Sequence, residues 1–392
     1  MDKPLRIGPV KDETELHARI VEACDRMERI FESGSYPKIT VRRHWSKHNP
    51  VISGEIAWPV AYRWYLSREL LKLARKGAEI HVEASRGRVD LAAPSLLAQI
   101  DESDLDITRK KLFLFGPERV ELSIRRLEHY TGTKAEDFQR HLVLTNYQMH
   151  MDAFEAACPD CVQPSRPDVQ MPAYHQRTPD RDGISIINIG VGPSNAKTCT
   201  DHVAVLRPDA MLMVGHCAGI RNHQRIGDFV LASGYMRNDR LLDDALPPSV
   251  PIVPSFLLNR YLAAVLEERA LTYRAGTVYT TADRNWELAV RGTLDDLRAS
   301  RSIAVDMESA TVAANGFRYR IPSATLLCVS DKPLHGRPKL PDHAETFYRQ
   351  TKQQHLAVAM AAIERARQDF PGGLPNRDIR ALDEPLMGGP GE

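Results

Sequence analysis

Acidic side chains stand at two positions where a carboxyl group could take part in chemistry. The first, Asp331, lies in VSDKPLHG (residues 329–336), directly after an apolar run that Pro333 prevents from continuing as a strand. A strand-end aspartate is often only a turn former. If Asp331 faces a cleft, partial burial would raise its pKa and let it donate a proton to a bound molecule.

The second position is the pair Asp306 and Glu308 in VDMESATVAANG (residues 305–316), which passes from a strand into a helix. Negative charge is stabilised at the start of a helix by the helix dipole. Helix capping is therefore one interpretation of the pair. The other is a carboxylate that accepts hydrogen bonds from substrate hydroxyls, a geometry suited to the diol of a sugar.

A glycine-containing turn, NIGVGPSNAKT (residues 188–198), places Gly190 and Gly192 after a strand and Ser194 and Asn195 at the start of a helix. Backbone N–H groups at such a position attract anions, and glycine lets the backbone come close. A tight turn with Ser194 or Asn195 as the helix cap is the equally supported alternative. The turn lacks the third glycine of a dinucleotide fingerprint and the lysine of a P-loop.

Two further strand ends carry side chains suited to substrate contact. VGHCAGIR places His216 at one of them, where a hydrogen-bonded core histidine is the interpretation that this motif alone favours. TTADRNWELA places Asn285 and Trp286 at the other. Trp286 is either part of the core or a flat wall on which a base stacks.

Alternating strands and helices in the second half of the chain would position all of these motifs. The apolar runs ISIINIG, AMLMVGH, DFVLAS, AGTVYTT, SIAVDM and ATLLCVSD are typical of strands buried on both faces. They predict an α/β domain over residues 183–370 with a central, largely parallel sheet, followed by a tail over 371–392. In such sheets ligands bind at the C-terminal ends of the strands, where these motifs fall.

The first half predicts a smaller α+β domain over residues 1–160. Helices are expected over residues 12–31, in AWPVAYRWYLSRELLKLARKG and over residues 147–157, with strands in AEIHVEA, KLFLFG and HLVLT. Residues 161–182 are rich in Pro, Asp, Gln and Arg and have no apolar period. This composition predicts a linker.

The composition narrows the functional classes. Lys and Arg (52) nearly balance Asp and Glu (51) among 392 residues, which argues against nucleic acid or a membrane surface as partner. No apolar run is long enough to predict a membrane span. Six cysteines predict reduced thiols and a cytoplasmic protein, and Cys158 and Cys161 of CPDC are better explained by a plain loop than by metal or redox use.

Taken together, the motifs resemble the nucleoside phosphorylase and nucleosidase family, and within it the AMP nucleosidases. The likeness is carried by NIGVGPSNAKT, LRPDAMLMVGHCAGI, ADRNWEL, VDMESATVAA and TLLCVSDKPLHG, together with RLEHYTGT and LTNYQMHMD in the first half. The resemblance implies a nucleoside phosphorylase-like α/β sandwich preceded by the smaller α+β domain. It also implies hydrolysis of the N-glycosidic bond of AMP to adenine and ribose 5-phosphate, in purine salvage and control of the adenylate pool.

Residue roles follow from the same resemblance. Asp331 would protonate N7 of adenine as the bond breaks, and Glu308 would hold the ribose 2′- and 3′-hydroxyls with Met307 against the sugar. Other expected substrate-binding residues are Asn285, Trp286, Gly190, Ser194, Asn195, His216 and Ser330. The resemblance implies no required metal or other cofactor, ATP as an allosteric activator, phosphate as an inhibitor, and a homo-oligomer that is commonly a hexamer.

Two departures from the family pattern bear on the reaction. Met213 stands where hexameric phosphorylases carry an arginine that grips phosphate, so water is favoured as the nucleophile. Trp58, in VISGEIAWP, stands where AMP nucleosidases carry the arginine of a Thr-Arg-Pro run. The basic residues Arg42, Arg43 and His44 could bind the 5′-phosphate instead, or could form a solvated strand edge.

Two other functions remain open from the sequence. One is a purine nucleoside hydrolase or phosphorylase that lacks 5′-phosphate recognition. The other is a nucleotide-sensing protein with an inactive site, although the presence of both Asp331 and Glu308 argues against it.

Overall fold

The computed structural model describes residues 5–8, 10, 12–42, 51–93, 95–100, 112–338 and 341–375. The chain divides into two compact units. Residues up to Arg126 form most of the first unit, and Leu127–Ala204 with Pro208–Asn376 form the second.

The first unit contains a four-stranded antiparallel sheet in the order β1–β4–β2–β3 among the described residues. Its strands are β1 (Leu5–Ile7), β2 (Ser35–Arg42), β3 (Val51–Glu55) and β4 (Glu79–Gly87). Its helices are α1 (Glu13–Glu32), α2 (Arg63–Arg75) and α3 (Leu96–Gln99), and α4 (Pro117–Thr131) covers the boundary in the chain.

Helix α1 shows how the local sequence forms this unit. The Asp12 side chain accepts a hydrogen bond from the Thr14 N–H at 3.0 Å and so caps the helix. Apolar residues at helical spacing, among them Leu16, Ile20 and Met27, are buried along one face. The prediction of a helix over 12–31 is confirmed.

A strand in KLFLFG is not found where the structure describes this segment. Residues 112–116 contain no strand, and residues 110–111 lie outside the described residues. Leu112 is buried, and its carbonyl accepts a hydrogen bond from the Tyr65 hydroxyl at 3.3 Å. The apolar run therefore contributes to a core without pairing into a sheet.

The second unit alternates strands and helices as predicted. The strands are β5 (His141–Thr145), β6 (Ala173–His175), β7 (Ile184–Asn188), β8 (Ala210–Gly219), β9 (Phe229–Asn238), β10 (Tyr273–Thr281), β11 (Ala304–Asp306) and β12 (Ser323–Asp331). The helices are α5 (Gln148–Ala157), α6 (Pro193–Val203), α7 (Phe256–Glu268), α8 (Val290–Ala299), α9 (Ser309–Tyr319) and α10 (Pro341–Asp369).

These strands form one mixed sheet in the order β11–β10–β9–β12–β8–β5–β7–β6. Most of its pairings are parallel, and β12–β9, β11–β8 and β6–β7 are antiparallel. Strand β11 pairs with both β10 and β8, so β8, β12, β9, β10 and β11 close into a ring. The predicted α/β class with a largely parallel or mixed sheet is confirmed.

Closure of the ring fixes the strand ends that carry the candidate residues. Ala218 of β8 is in register with Asp331 of β12 on one side and with Val305 of β11 on the other. Neighbouring strands lie about 4.8 Å apart, so Asp331 and Val305 are separated by about 10 Å across β8. Helices α5, α7 and α10 cover one face of the sheet, and their Phe154, Leu262 and Ala359 pack against its strands.

The predicted domain boundary at residue 160 needs correction. Strand β5 pairs with β7 and β8 of the large sheet, and the second unit begins at Leu127. The predicted linker 161–182 also belongs to this unit, because it contains β6 and Val162 exchanges two backbone hydrogen bonds of 2.9 Å with His175. A proline-rich stretch without an apolar period can still pair through its backbone.

No helix within the described residues is long and apolar enough to cross a membrane.

Candidate active site

The turn after β7 is shaped by two glycines with left-handed backbone angles. Gly190 has φ of +73°, and a Cβ there would lie 2.8 Å from Asn195 Nδ2. Gly192 has φ of +109° and ψ of 154°, a conformation that only glycine adopts readily. Gly192 is the N-cap residue of α6, so of the two interpretations of this turn the one with Ser194 or Asn195 as helix cap does not hold.

The Gly192 N–H donates a 2.6 Å hydrogen bond to Oε1 of Glu308. The turn therefore holds a carboxylate that is 116 positions further along the chain. Ser194 is exposed, and the Asn195 side chain donates to the carbonyl of Val191 at 3.3 Å. The acceptor for this backbone N–H is thus supplied by the protein itself, in the form of the Glu308 carboxyl group.

Asp306 and Glu308 have different surroundings although only Met307 separates them. Oδ1 of Asp306 accepts a 2.6 Å bond from the Thr280 hydroxyl, while Oδ2 accepts from the N–H (2.9 Å) and hydroxyl of Ser309. The Asp306 side chain thus accepts the first backbone N–H of α9, although Glu308 occupies the N-cap position itself. Glu308 remains available to face the glycine turn, and Met307 between them is half-buried.

Burial controls the protonation of this pair. Glu308 is 2% exposed, and its burial, followed by the nearby Asp306 carboxylate, raises the pKa of Glu308 to about 8. Hydrogen bonds from Gly192 and Asn146 act in the opposite direction. Burial also raises the pKa of Asp306 against the hydrogen bonds of Ser309 and Thr280. A perturbed carboxyl at a strand end is a marker of a functional site.

Asn146 is a residue of this site that the sequence analysis did not select. It follows β5 directly and its side chain interacts with Glu308. A Cβ at Gly215 would lie 3.5 Å from Asn146 Oδ1, so β8 approaches Asn146 closely at a glycine. Asn146 could have been predicted from its position directly after the apolar run HLVLT, because that strand ends at the same sheet edge as the other motifs.

Asp331 ends β12 next to the tip of β8. It is 7% exposed, and a bulge before it interrupts the pairing with β8. The Ser330 hydroxyl lies 2.5 Å from Asp331 Oδ1 and 3.3 Å from the carbonyl oxygen of Cys217. The strand therefore ends on a buried carboxyl group that a neighbouring hydroxyl orients. An aspartate that only forms a turn would not need this burial.

Trp286 belongs to a packed apolar cluster beside this carboxyl. It is 6% exposed and clusters with Ala218, Tyr279 and Val305, and Leu334 packs against the same group. The structure thus gives Trp286 a core position, at the strand end next to Asp331. Asn285 is exposed, and its N–H donates to Asp283 Oδ1 at 2.8 Å.

His216 is buried on the opposite side of β8 from Cys217, which packs inside the ring. Its ring contacts that of Tyr147 edge-on, with 4.1 Å between centroids, and lies among His150 and His355. His216 is therefore buried, as the core interpretation requires.

The proposed phosphate residues of the first half are only partly described. Arg42 is exposed at the end of β2, and Arg43 and His44 lie outside the described residues. Trp58 has φ of +49°, rare for a bulky residue, and its Nε1 donates to Glu121 at 2.7 Å. Trp58 is therefore engaged within the first unit, beside the guanidinium of Arg125 at 5.0 Å.

Comparisons with known proteins agree with this geometry. Residues 155–365 match the family described as the Phosphorylase superfamily. The AMP nucleosidase of Escherichia coli (strain K12) is 38% identical over 429 aligned residues, which cover 89% of this chain and 88% of that protein.

Solved structures give the same result. An AMP nucleosidase from Bacteroides thetaiotaomicron VPI-5482 superposes with a TM-score of 0.55 and 28% identity, over 64% of this chain and 99% of that one. The Campylobacter jejuni 5′-methylthioadenosine/S-adenosyl homocysteine nucleosidase superposes with a TM-score of 0.50 over 58% of this chain and 99% of that one. At 16% identity the second likeness shows the fold alone.

The mixed sheet with its closed ring, and the carboxyl groups at one edge of it, define a protein of the phosphorylase superfamily. At the level of identity found over most of its length, the chain belongs to the AMP nucleosidase family within that superfamily.

Proposed function

We propose that this protein hydrolyses the N-glycosidic bond of AMP, giving adenine and ribose 5-phosphate. The observation that carries the proposal is a pair of buried carboxyl groups, Asp331 at the end of β12 and Glu308 two residues after the end of β11, two strands separated only by β8. The 38% identity to the Escherichia coli AMP nucleosidase supports AMP as the substrate.

The reaction needs two tasks that these residues can perform. As the bond between C1′ and N9 breaks, its electron pair moves to adenine, and Asp331 donates a proton to N7 so that the base leaves as a neutral molecule. Glu308, held by the Gly192 N–H, accepts hydrogen bonds from the ribose 2′- and 3′-hydroxyls. Water adds to C1′ from the opposite face and releases a proton to the solvent, and a proton from the solvent restores the acid form of Asp331.

Water is the proposed nucleophile because Met213 supplies no positive charge. Met213 is fully buried in β8, where the phosphorylases of this family carry a phosphate-binding arginine. Without a bidentate cation at this position, a phosphate nucleophile has no matching partner.

The main alternative substrate is an unphosphorylated nucleoside. Trp58 stands in place of the arginine of the Thr-Arg-Pro run, and its indole N–H is bonded to Glu121 and so does not serve a phosphate. A purine nucleoside hydrolase would fit this observation. We retain AMP as the proposed substrate because the Escherichia coli relative, which is 38% identical to this chain, is named an AMP nucleosidase.

A substrate panel separates these possibilities. The purified chain is incubated with AMP or adenosine, each with and without inorganic phosphate, and released adenine, ribose 5-phosphate and ribose 1-phosphate esters are measured. AMP is expected to be cleaved preferentially and without added phosphate. Preference for adenosine would favour the nucleoside hydrolase, dependence on phosphate would favour a phosphorylase, and binding of AMP without turnover would favour a nucleotide sensor.

Several further properties are proposed from family membership. We propose a homo-oligomer, commonly a hexamer in this family, with activation by ATP and inhibition by phosphate, and with no metal required for bond cleavage. We also propose a cytoplasmic role in purine salvage and adenylate control, with no nucleic acid or membrane partner. The six free cysteines support a reducing compartment.

A further inference from the structure

Three buried histidines converge behind strand β8. His150 comes from α5, His216 from β8 and His355 from α10, and one ring nitrogen of each lies within 4.8 Å of the others. His150 and His355 are fully buried and His216 is 6% exposed. The sequence predicted no metal site, because these residues are more than 60 positions apart and form no spaced motif.

The protonation of His355 is fixed by a backbone carbonyl. Its Nε2 lies 2.9 Å from the carbonyl oxygen of Leu326, which can only accept, so Nε2 carries the proton. Nδ1 of the neutral ring then carries a lone pair. Among the described residues this buried Nδ1 has no hydrogen-bond partner. A ring that donates one N–H to a carbonyl and presents the other nitrogen is the usual arrangement of a metal-bound histidine.

His150 presents its second nitrogen when its Nδ1–H donates to a hydroxyl. Its Nδ1 lies 2.7 Å from the Thr145 hydroxyl, whose oxygen also accepts the Tyr147 N–H at 3.2 Å. The buried Nε2 of His150 has no hydrogen-bond partner among the described residues. Leaving a buried polar atom without a partner is unfavourable, so two of them in one cluster indicate a missing partner.

Burial also favours the neutral form of His150 and His355. Desolvation lowers the pKa of His355 to about 4, and it lowers the pKa of His150 well below its ordinary value, with His355 as the second cause. Neutral imidazole nitrogens are the preferred ligands of Zn²⁺ and related divalent transition metals.

We propose that His150, His216 and His355 bind one divalent transition-metal ion of the zinc type, with water as the fourth ligand. Tetrahedral zinc places its nitrogen ligands about 3.3 Å apart, so binding requires the rings to approach by roughly 1.5 Å. Bound there, the ion would tie α5 and α10 to β8, the strand that separates Asp331 from Glu308. The competing explanation is a buried water that bridges the same nitrogens.

Metal analysis of untagged wild-type protein tests the proposal directly. The protein is equilibrated with Zn²⁺ or Co²⁺ and dialysed, and its metal content and visible spectrum are measured. About one ion per chain and the d–d bands of tetrahedral Co²⁺ are expected. Wild-type protein that retains no ion and gives no such bands would overturn the proposal and leave a bridging water as the explanation.

Variants locate the ion. His355→Gln keeps an amide donor for the Leu326 carbonyl, and His150→Asn keeps one for Thr145, while each removes the ligand nitrogen. Both are expected to lose at least tenfold in metal affinity, with His223→Gln, at an exposed histidine of the same unit, as the matched control. A cobalt–thiolate band that disappears in the double variant Cys158→Ser/Cys161→Ser would place the ion on CPDC and refute the histidine site.

Discussion

At the scale of single residues, Asp331 offers the most direct test of the reaction. Asp331→Asn preserves the size of the side chain but removes the proton that the mechanism transfers to N7. We expect kcat for AMP to fall about 10²–10⁴-fold with KM changed much less, because general acid catalysis contributes about that much. Steady-state kinetics with released adenine as the readout measures this.

A matched control is Asp295→Asn, at an aspartate on α8 whose side chain is 82% exposed. It should keep wild-type kinetics. Full activity in Asp331→Asn would remove Asp331 from the mechanism, whereas unchanged thermal stability with lost activity would support its role.

Replacing Glu308 with glutamine should raise stability at high pH and lower activity. Burial raises the pKa of Glu308 from the ordinary 4.5 of a glutamate to about 8 in the folded protein, so folding favours the protonated form. The stability that it contributes is fully present below about pH 4.5 and is lost as the pH rises towards 8. Glu308→Gln removes this loss, so at pH 9 the free energy of unfolding of the variant should exceed that of wild type by an amount on the order of a few kcal/mol.

The same variant should lose most of its activity, since the single oxygen of an amide must be shared between the Gly192 N–H and the ribose hydroxyls. Melting curves from pH 5 to pH 9 and AMP kinetics measure the two effects, with Glu136→Gln, at an exposed glutamate, as control. A variant that is less stable than wild type at pH 9 would contradict the assigned cost of burying this carboxylate.

At the scale of elements, the turn between β7 and α6 can be tested through its backbone alone. A Cβ at Gly192 would meet no atom within 4 Å, so Gly192→Ala changes only the backbone preference. Its φ of +109° should cost roughly 1–3 kcal/mol in an alanine. Because its N–H holds Glu308, activity should fall beyond what the loss of stability explains.

Gly292→Ala is the matched control for this turn. Gly292 lies in α8 without a positive φ, and a Cβ there also meets nothing within 4 Å. It should therefore stabilise the protein by about 0.5–1 kcal/mol and leave kinetics unchanged. Denaturant titration of both variants gives the comparison, and equal effects of the two substitutions would show that the turn at Gly192 is not strained by a side chain.

Elements with strong local signals could be predicted from the sequence. The runs that became β8 and β12 are continuously apolar, and the position of Asp331 at the end of one of them follows directly from where the run stops. The predicted strand at residues 112–116 is absent although this run is also apolar. An apolar run predicts burial, but it does not show whether a neighbouring strand is available to pair with it.

At the scale of the whole molecule, what the sequence could not predict is contact between distant positions. The bond from Gly192 to Glu308 and the approach of His150, His216 and His355 depend on how the sheet closes. The predicted domain boundary at residue 160 needed correction for the same reason. HLVLT was correctly predicted as a strand, but only the pairing of β5 with β8 assigns it to the second unit.

The burial of thiols in both units provides a test of the whole fold. Cys24 of the first unit and Cys199, Cys217 and Cys328 of the second are buried, whereas Cys158 and Cys161 are partly exposed. Burial raises the pKa of Cys24 and of Cys199 to about 12 each, so both the reactive thiolate and access to it are suppressed. We expect an aromatic disulfide reagent to label two thiols in the native protein and six after denaturation.

Mass spectrometry of the labelled peptides identifies the thiols that react. In Cys158→Ser/Cys161→Ser, labelling of the native protein should drop to nearly zero while AMP cleavage persists, because neither cysteine belongs to the site around Glu308 and Asp331. Rapid labelling of Cys24 would contradict the packing of the first unit, and rapid labelling of Cys199 or Cys328 would contradict that of the second. The burial of each unit is thereby tested separately in one experiment.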